Sequence, residues 1–278
     1  MDKAIIFGVF DFVNFHICQT LLNQGIEVIG ISFEEKEEIP NYEEKRLEVG
    51  RNANFIEQSF SNWHTAREEE QSKTVLVFSI YDWYILQKET HILKKSVMKP
   101  IQDYIEKNPA NVEIVILLPV QELEANTDRQ VEGFLEQLNQ IVQGIHVFYL
   151  PSIYGPWQPE SFLFQQAILS TIREANIQKG DREWTVDTLF VNDALETMFE
   201  LIKSEKSGRY MLQSGKQNYW SECATYLQLD DRITKTAIKG TVKIKEQVVT
   251  VPVQKITSIA DSLAQQVDHV RRLYQTSL

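Results

Sequence analysis

The sequence predicts an α/β protein built on a doubly wound parallel sheet. Short apolar, β-branched runs alternate with longer amphipathic stretches, which is the pattern of parallel strands covered by helices. Two runs, Val75–Val77 and Ile114–Leu118, are hydrophobic at nearly every position, as in strands buried on both faces. The segments between elements are short and polar, such as Asn23–Gly25. These three observations favour a sheet with helices on both sides.

The first half of the chain supplies six such units, which is typical of a Rossmann-type sheet. The predicted strands are Ala4–Gly8, Glu27–Ser32, Asn54–Glu57, Thr74–Ile80, Val112–Leu118 and His146–Leu150. The predicted helices are Phe12–Asn23, Glu43–Val49, His91–Lys107 and Thr127–Val142. We place a dinucleotide-binding-like domain at residues 1–156.

From Pro151 onward the pattern changes to that of a smaller C-terminal α/β lobe, placed at residues 157–278, from which residues 184–203 return to the main sheet. Helices are predicted at Ser161–Ala175, Asn192–Lys203, Ser221–Leu227 and Ile259–Tyr274. Strands are predicted at Trp184–Thr188 and Tyr210–Gln213, with a β-rich stretch at Thr241–Val253.

The charge balance narrows the classes of partner. The chain has 39 acidic and 28 basic residues, a net charge of −11. A field of that sign repels phosphate backbones and anionic lipid surfaces. The dense basic clusters, Lys94-Lys95 and Arg271-Arg272, have the spacing of solvated helix faces. We therefore expect neither nucleic acid nor a membrane as a partner.

The cysteines, the histidines and the N-terminal segment indicate the cellular compartment and whether a metal site is present. Cys18 and Cys223 lie in apolar-periodic segments, which predicts buried, reduced thiols. Met1–Phe7 has no signal-peptide pattern, and no apolar run reaches the length of a membrane span. The five histidines show no metal-ligand spacing. We expect a soluble cytoplasmic protein without a metal.

The N-terminal segment also carries a family resemblance. Residues Ala4–Ile17, read as AIIFGVFDFVNFHI, resemble the first strand, turn and helix of extended short-chain dehydrogenases/reductases, and more narrowly the NAD-dependent epimerase/dehydratase family, which acts on nucleotide sugars. Similar landmarks follow in the family's order at Gly25–Gly30, Leu150–Trp157, Phe190–Ala194, Gly208–Gly215 and Thr257–Leu263. The resemblance spans nearly the whole chain and implies that family's fold.

The cofactor turn departs from the family pattern. The resemblance implies a G-x-x-G-x-x-G turn whose backbone meets the cofactor pyrophosphate. Here Gly8 remains, while Asp11 and Asn14 take the other two positions. A carboxylate beside a pyrophosphate costs about 3 kcal/mol at an effective dielectric near 20. The alternative is that the Asp11 carboxylate itself caps the helix N-terminus in place of the pyrophosphate. We expect a turn closed to ordinary dinucleotide binding.

The rest of the implied cofactor site is altered too. The family's ribose-binding acidic residue falls near Ser32; Glu34 and Glu35 are substitutes that would oppose a 2′-phosphate. Bulky side chains at Phe78–Tyr81 stand where the family has small residues. We therefore expect that no cofactor is bound; if one is, the resemblance implies NAD(P).

The catalytic group that the resemblance implies is also missing. The family uses a Ser or Thr after strand five and a Y-x-x-x-K pair on the next helix as its acid/base system. Leu117–Asn126 contains no hydroxyl side chain, and residues 127–134 contain neither Tyr nor Lys. The chain's Y-x-x-x-K, Tyr84 and Lys88, follows strand four. Chance placement on the surface is the favoured interpretation, and a relocated acid/base pair is the alternative.

Three residues are candidates for a substrate cleft. Tyr154 and Trp157 lie in the loop that best matches the family, where cleft lining and loop folding explain them equally well. Asp193 is either a ligand-binding carboxylate or a helix cap.

These observations leave three hypotheses of function. The first is an epimerase/dehydratase-like protein without dinucleotide binding or catalysis that acts as a binding, scaffold or regulatory module. The second is an NAD(P)-dependent nucleotide-sugar epimerase, dehydratase or oxidoreductase with a remodelled site. The third is a non-catalytic dinucleotide sensor. The candidate partners are another protein and a nucleotide or nucleotide sugar. The resemblance also implies a homodimer, for which the helices at His91–Lys107 and Thr127–Val142 are the candidates.

Overall fold

The computed structural model describes residues 1–33, 39–65, 72–91, 94–124, 129–142, 144–173, 177–178, 180–204, 206–230 and 247–275. Glu34, Glu35 and Thr127 lie outside the described residues, as do residues 241–246 of the predicted β-rich stretch and residues 174–175 of the helix predicted at Ser161–Ala175.

Ten strands are described, here numbered in chain order. They are β1 Lys3–Phe7, β2 Glu27–Ser32, β3 Phe55–Ser59, β4 Thr74–Ser79, β5 Val112–Pro119, β6 Ile145–Leu150, β7 Ser152–Tyr154, β8 Thr188–Phe190, β9 Gly208–Gln213 and β10 Val248–Pro252.

Ten α-helices accompany them. They are α1 Phe12–Asn23, α2 Tyr42–Val49, α3 Phe60–Thr65, α4 Ile80–Ile85, α5 Lys95–Lys107, α6 Arg129–Ile141, α7 Leu163–Ser170, α8 Val191–Lys203, α9 Tyr219–Tyr226 and α10 Ile259–Gln275. Two 3₁₀ turns lie at Glu89–His91 and Val120–Leu123.

Eight of the strands form one sheet in the order β10-β9-β6-β5-β4-β1-β2-β3. β1 lies in the interior of the sheet and pairs in parallel with β2 and β4, with Ile5 opposite Ile29 and Leu76. β2 with β3, β4 with β5, and β9 with β10 are also parallel. This confirms the predicted Rossmann-type parallel sheet, whose strand order reverses on either side of β1.

The chain divides into two compact units. The first comprises Met1–Leu118 and Asn126–Val147, and the second comprises Pro119–Ala125 and Phe148–Leu278. The predicted boundary at residue 156 stays a prediction.

Unit 1 is held together by the buried central strands and α1. Ile6 and Phe7 of β1 are fully buried, as are Leu76 and Phe78 of β4. The rings of Phe7 and Phe78 are stacked, with centroids 4.6 Å apart. The apolar runs therefore form strands buried on both faces, as their sequence predicts.

Unit 2 packs its helices around α10. Val270 of α10 forms a buried cluster with Ile168 and Leu169 of α7. A second, two-stranded parallel sheet pairs β7 with β8. Cys223 in this unit and Cys18 in unit 1 are both free and buried, which confirms the prediction for the two thiols.

The structure differs from the sequence-based elements in several places. β8 pairs with β7, which was not predicted, in the separate two-stranded sheet, so β8 does not return to the main sheet as predicted for residues 184–203. α3 and α4 are absent from the prediction, because six residues are too few to establish a helical period. The strand predicted at Trp184–Thr188 is wrong: the segment is irregular up to Asp187, and β8 begins at Thr188. α5 begins at Lys95 rather than at His91.

Candidate dinucleotide-binding turn

The turn after β1 keeps the backbone geometry of a phosphate-binding turn at its first glycine. Gly8 has φ +75°, a conformation that glycine adopts without a steric penalty. Its amide donates to the Ile31 carbonyl of β2 at 2.8 Å, and its carbonyl accepts from the Asp11 amide at 3.0 Å. The chain therefore leaves β1 sharply and enters α1 at Phe12.

The Asp11 side chain covers this turn. A Cβ atom on Gly8 would lie 2.1 Å from Asp11 Oδ2. The same oxygen accepts a hydrogen bond from Trp83 Nε1 at 2.8 Å. Asp11 stands at the N-cap position of α1, but its side chain makes no capping hydrogen bond. The alternative that Asp11 caps the helix is therefore wrong, because Trp83 holds the carboxylate over Gly8 instead.

Asp82 caps α1 in its place. This carboxylate, only 3% exposed, lies in the first turn of α4. Its Oδ2 accepts from the amides of Val13 at 3.0 Å and Asn14 at 3.4 Å, and its Oδ1 lies 3.2 Å from the Val13 nitrogen. These are two of the amides that the first turn of a helix leaves without an internal partner. Asp82 thus satisfies the end of α1 that faces an anion in this type of fold.

Lys45 supplies the positive charge beside the two carboxylates. It projects from α2, is 4% exposed, and donates from Nζ to the Phe10 carbonyl at 2.5 Å. Both Asp11 and Asp82 act on its charge. Three charged side chains therefore meet at this turn: the half-buried Asp11 of the turn itself, and the buried Lys45 of α2 and Asp82 of α4.

Burial is the dominant influence on this charge set. It raises the pKa of Asp82 to about 6, against hydrogen bonds from Ser79, Val13 and Asn14 and the charge of Lys45, which lower it. It lowers the pKa of Lys45 to about 8, against the two carboxylates, which raise it. Both groups are therefore charged at neutral pH, in surroundings that favour their neutral forms.

Asn14, at the family's third glycine position, ties α1 to β1. Its side-chain Nδ2 donates to the carbonyls of Phe7 at 2.8 Å and Gly8 at 3.2 Å. An amide here replaces the close helix–strand approach that a glycine permits.

Ser32 ends β2, beside a layer of aromatic rings. The next residue, Phe33, lies against Trp83 and Phe60, with ring centroids 5.7 Å and 5.0 Å apart. Trp63 continues the layer 5.8 Å from Phe60. Side chains from the ends of β2, β3 and β4 thus contact one another at the edge where this fold type binds the adenosine half of a dinucleotide.

The described residues of this turn do not fit a pyrophosphate. The glycine surface lies under Asp11, and two of the α1 amides are bonded to Asp82. The described end of β2 carries Ser32 and Phe33, while Glu34 and Glu35 lie outside the described residues. A pyrophosphate at this turn would meet two carboxylates. We derive no catalytic step through NAD(P) for this chain.

Tyr84 and Lys88 do not share a helix. Tyr84 lies near the end of α4, which stops at Ile85, and Gln87 has φ +58°. The Lys88 amide donates to the Trp83 carbonyl at 2.7 Å. The three residues between Tyr84 and Lys88 therefore do not form the helical turn that places the family's Tyr and Lys side by side.

The described part of the segment after β5, residues 120–124, contains no hydroxyl side chain. It forms a 3₁₀ turn at Val120–Leu123, and Gln121 Nε2 donates to the Arg182 carbonyl at 2.8 Å. The sequence of α6, RQVEGFLEQLNQI, contains neither Tyr nor Lys.

Tyr154 and Trp157 are buried within unit 2 and contact α10. The Tyr154 hydroxyl lies 2.8 Å from Ser262 Oγ, and burial raises its pKa well above the ordinary value. The Trp157 amide donates to His269 Nδ1 at 3.3 Å, and the two rings lie 4.2 Å apart. In this unit both side chains join the loop to α10.

Asp193 also connects two segments of unit 2. Its carboxylate accepts from the amide and hydroxyl of Thr257 at 2.7 Å and 2.6 Å. The predicted helix cap is wrong, because Asp193 lies in the first turn of α8 and bonds to the segment before α10 instead.

Sequence reasoning missed Asp82, Lys45, Trp83 and Glu183. Glu183, 3% exposed, accepts from the Leu163 amide at the start of α7 at 2.9 Å and from Ser152 Oγ at 3.3 Å. One local signal pointed to Asp82: the sequence Ser79-x-x-Asp82 has the spacing of a helix start, and Ser79 Oγ accepts from the Asp82 amide at 3.3 Å. Its partners on α1 carry no such local signal.

Two further findings bear on the site. Among the described residues, no three His, Cys, Asp or Glu side chains are grouped so that they could hold a metal ion. In the same part of the chain, no helix combines the length and the apolar character that crossing a bilayer requires.

Comparison with known proteins agrees on the fold. No protein-family model and no curated protein matches the chain. UDP-glucuronic acid 4-epimerase from Bacillus cereus, solved with UDP-glucuronic acid and NAD, has a TM-score of 0.68 at 15% identity, covering 98% of this chain and 100% of that one. dTDP-glucose 4,6-dehydratase from Bacillus anthracis, solved with NAD, has a TM-score of 0.65 at 12% identity, covering 99% and 98%.

A third similar structure is TunA, an NAD-dependent NDP-hexosamine 5,6-dehydratase of tunicamycin biosynthesis, with a TM-score of 0.61 at 12% identity and 98% coverage of both chains. The fold is therefore that of the extended short-chain dehydrogenase/reductase structures of the epimerase/dehydratase type, which confirms the resemblance at the level of fold.

Proposed function

We propose that this chain is a non-catalytic protein with the epimerase/dehydratase fold, and that it serves as a binding, scaffold or regulatory module without a dinucleotide cofactor. The observation that carries this is the Asp11 carboxylate, which lies over Gly8 and is held there by Trp83. In this fold type, the first glycine is where backbone and pyrophosphate approach each other.

The energetic argument concerns displacement of Asp11. A pyrophosphate next to the carboxylate meets a repulsion of about 3 kcal/mol at an effective dielectric of 20, or about two orders of magnitude in affinity. Moving the carboxylate away leaves the Trp83 indole N–H without this partner, and a buried donor without a partner costs about 1–3 kcal/mol. Each outcome opposes cofactor binding at ordinary concentrations.

The missing acid/base group supports the same proposal. Residues 117–126 contain no hydroxyl side chain, and α6 contains neither Tyr nor Lys. A reaction at a sugar C–OH needs a group that carries its proton. Tyr84 and Lys88 remain the alternative pair for an active enzyme, although they do not lie on one helical turn.

The ligand class to test first is the nucleotide sugar, because similar structures were solved with UDP-glucuronic acid and UDP-glucose. A homodimer through α5 and α6 stays a prediction. The apolar residues of α5, Met98, Ile101 and Ile105, are buried, while on the side that is not buried Gln102 bonds Gln137 of α6 at 2.9 Å. This polar contact does not favour a dimer face, and size-exclusion chromatography with light scattering tests it.

The test of the proposal combines binding and turnover. The purified protein is analysed for bound nicotinamide by absorbance and mass spectrometry, and titrated calorimetrically with NAD⁺, NADH, NADP⁺ and UDP-glucuronic acid. We expect no bound cofactor and no heat from the dinucleotides up to millimolar concentration. Micromolar NAD(H) affinity together with epimerisation of UDP-glucuronic acid would refute the proposal. Micromolar affinity without turnover would replace it with the sensor hypothesis.

A further inference from the structure

A carboxylate of the chain itself lies at the end of α1 where this type of fold holds a phosphate group. Asp82 bonds the amides of Val13 and Asn14, at nitrogen–oxygen distances of 3.0 Å and 3.4 Å. Helix N-termini attract anions because their amides are unpaired and the helix dipole is positive there. In α1, a residue 69 positions away in sequence fills that role.

Several groups around Asp82 stabilise its ionised form, although burial opposes that form. The Ser79 hydroxyl accepts from the Asp82 amide and starts α4, which fixes the side chain relative to α1. Lys45, buried on α2, places its ammonium group within electrostatic reach of the carboxylate. Two amides and a cation are the groups with which proteins hold a phosphate oxygen.

We propose that Asp82 is an internal occupant of the anion-binding end of α1, with Lys45 as its counter-ion, and that this contact keeps the phosphate groups of nucleotides away from the turn. The inference deepens the proposed function and rests on it, because it names the group that closes the site. It concerns a different carboxylate from Asp11, which covers the glycine.

The expected consequence is that removing Asp82 exposes a phosphate site. The variant Asp82→Ala leaves the two amides without their acceptor and removes one of the two carboxylates that act on the Lys45 ammonium group. We expect it to bind inorganic pyrophosphate at least about tenfold more tightly than the wild type, with a melting temperature that rises with pyrophosphate concentration.

Two matched variants control this experiment. Asp82→Asn keeps the side-chain volume, so it still fills the space and is expected to gain no affinity. Asp82→Ala combined with Lys45→Met removes the cation and is expected to lose the gain. A gain that survives in the Lys45→Met background refutes the role of Lys45. Because Asp11 still covers Gly8 in this variant, the titration is repeated in an Asp11→Ala background. A folded Asp11→Ala, Asp82→Ala double variant that binds pyrophosphate no more tightly than Asp11→Ala refutes the inference.

A measurement on the wild type covers the case in which Asp82→Ala fails to fold. The amide proton shifts of Val13 and Asn14 are followed by NMR from about pH 4.5 to about pH 7.5. Lys45 on α2 is the charged group that acts on this carboxylate, and Asp11 in the turn acts on Lys45. Both amide shifts are expected to titrate together with a midpoint near the Asp82 pKa of about 6. Flat shifts would overturn the inference.

The outcomes separate this inference from the proposed function. If the wild type binds NAD, the proposed function fails. If the wild type binds no dinucleotide, while Asp82→Ala gains no affinity in the Asp11→Ala background or the amide shifts do not titrate, the proposed function stands and the role of Asp82 falls.

Discussion

Replacing Lys45 by Met tests whether the buried charge set is one energetic unit. Met has a similar length and is apolar, so the variant removes the cation and little volume. The Lys45 ammonium group is the buried cation that acts on Asp82, and it also bonds the Phe10 carbonyl. Without it, a carboxylate that is 3% exposed stays behind with no counter-ion.

The expected loss at neutral pH is about 3–5 kcal/mol, the range for breaking a buried ion pair by removing one partner. Adding Asp82→Leu to Lys45→Met removes the stranded charge, and we expect the double variant to recover about half of the loss or more. Recovery is incomplete because the amides of Val13 and Asn14 then lack an acceptor. The wild type, the two single variants and the double variant form a double-mutant cycle.

The assay is urea unfolding followed by circular dichroism, with Lys95→Met as the control, since Lys95 is an exposed residue at the start of α5. The control should change stability by less than about 0.5 kcal/mol. The loss in Lys45→Met should shrink as the pH falls, because a protonated Asp82 no longer needs a counter-ion. A loss that equals the control, or a double variant whose loss is the sum of the two single losses, would refute the account of a coupled pair.

Three further predictions follow from the same structure. Burial raises the pKa of Asp82 to about 6, so its contribution to stability is greatest below the unfolded value near 4 and is lost as the pH rises through 6. The free energy of unfolding from urea titrations should therefore fall over this pH range in the wild type and not in Asp82→Asn. An equal fall in both proteins would contradict the prediction. Glu183→Ala should cost about 1–3 kcal/mol in urea unfolding, because two donors lose their acceptor, against less than about 0.5 for the exposed Glu160→Ala. Gly8→Ala should lower the melting temperature, because the new Cβ would clash with Asp11 Oδ2. Adding Asp11→Ala should restore the part of the loss that is due to the clash and leave the part that is due to φ +75°. A double variant that melts no higher than Gly8→Ala would contradict the contact between Asp11 and Gly8.

The sequence was sufficient for the sheet because its strands are set by local composition. The run TVLVFS of β4 is apolar at nearly every position and buried throughout. Period and β-branching identify such a strand without any tertiary information. The helix at Phe12–Asn23 was predicted with the bounds that the structure has, because the turn residues before it and the polar Asn23-Gln24-Gly25 after it mark both ends.

The obstruction of this site was predicted at Asp11 and Asn14, the two positions where the resemblance implied glycines, and at the bulky residues Phe78–Tyr81. The role of Asp82 was not predicted because α4 has only six residues, too few to show a helical period. Its partners lie 68 and 69 residues earlier in the chain. A contact of that sequence separation depends on the register of β1 with β4, which brings Phe7 opposite Phe78 and so sets the turn beside α4. Single-sequence patterns contain no information on that pairing.

A built-in anion also changes how the fold depends on small molecules. A protein that binds a cofactor in its folded state gains RT ln(1 + [L]/Kd), about 2.7 kcal/mol when the ligand is at a hundred times its Kd, and loses that gain when the ligand is absent. Here the Asp82 carboxylate bonds the α1 amides in unit 1, and the Glu183 carboxylate bonds the first amide of α7 in unit 2. Both anions are side chains of the protein itself, so these contacts form at any ligand concentration. Neither contact requires a bound nucleotide, which agrees with the proposed role without a cofactor.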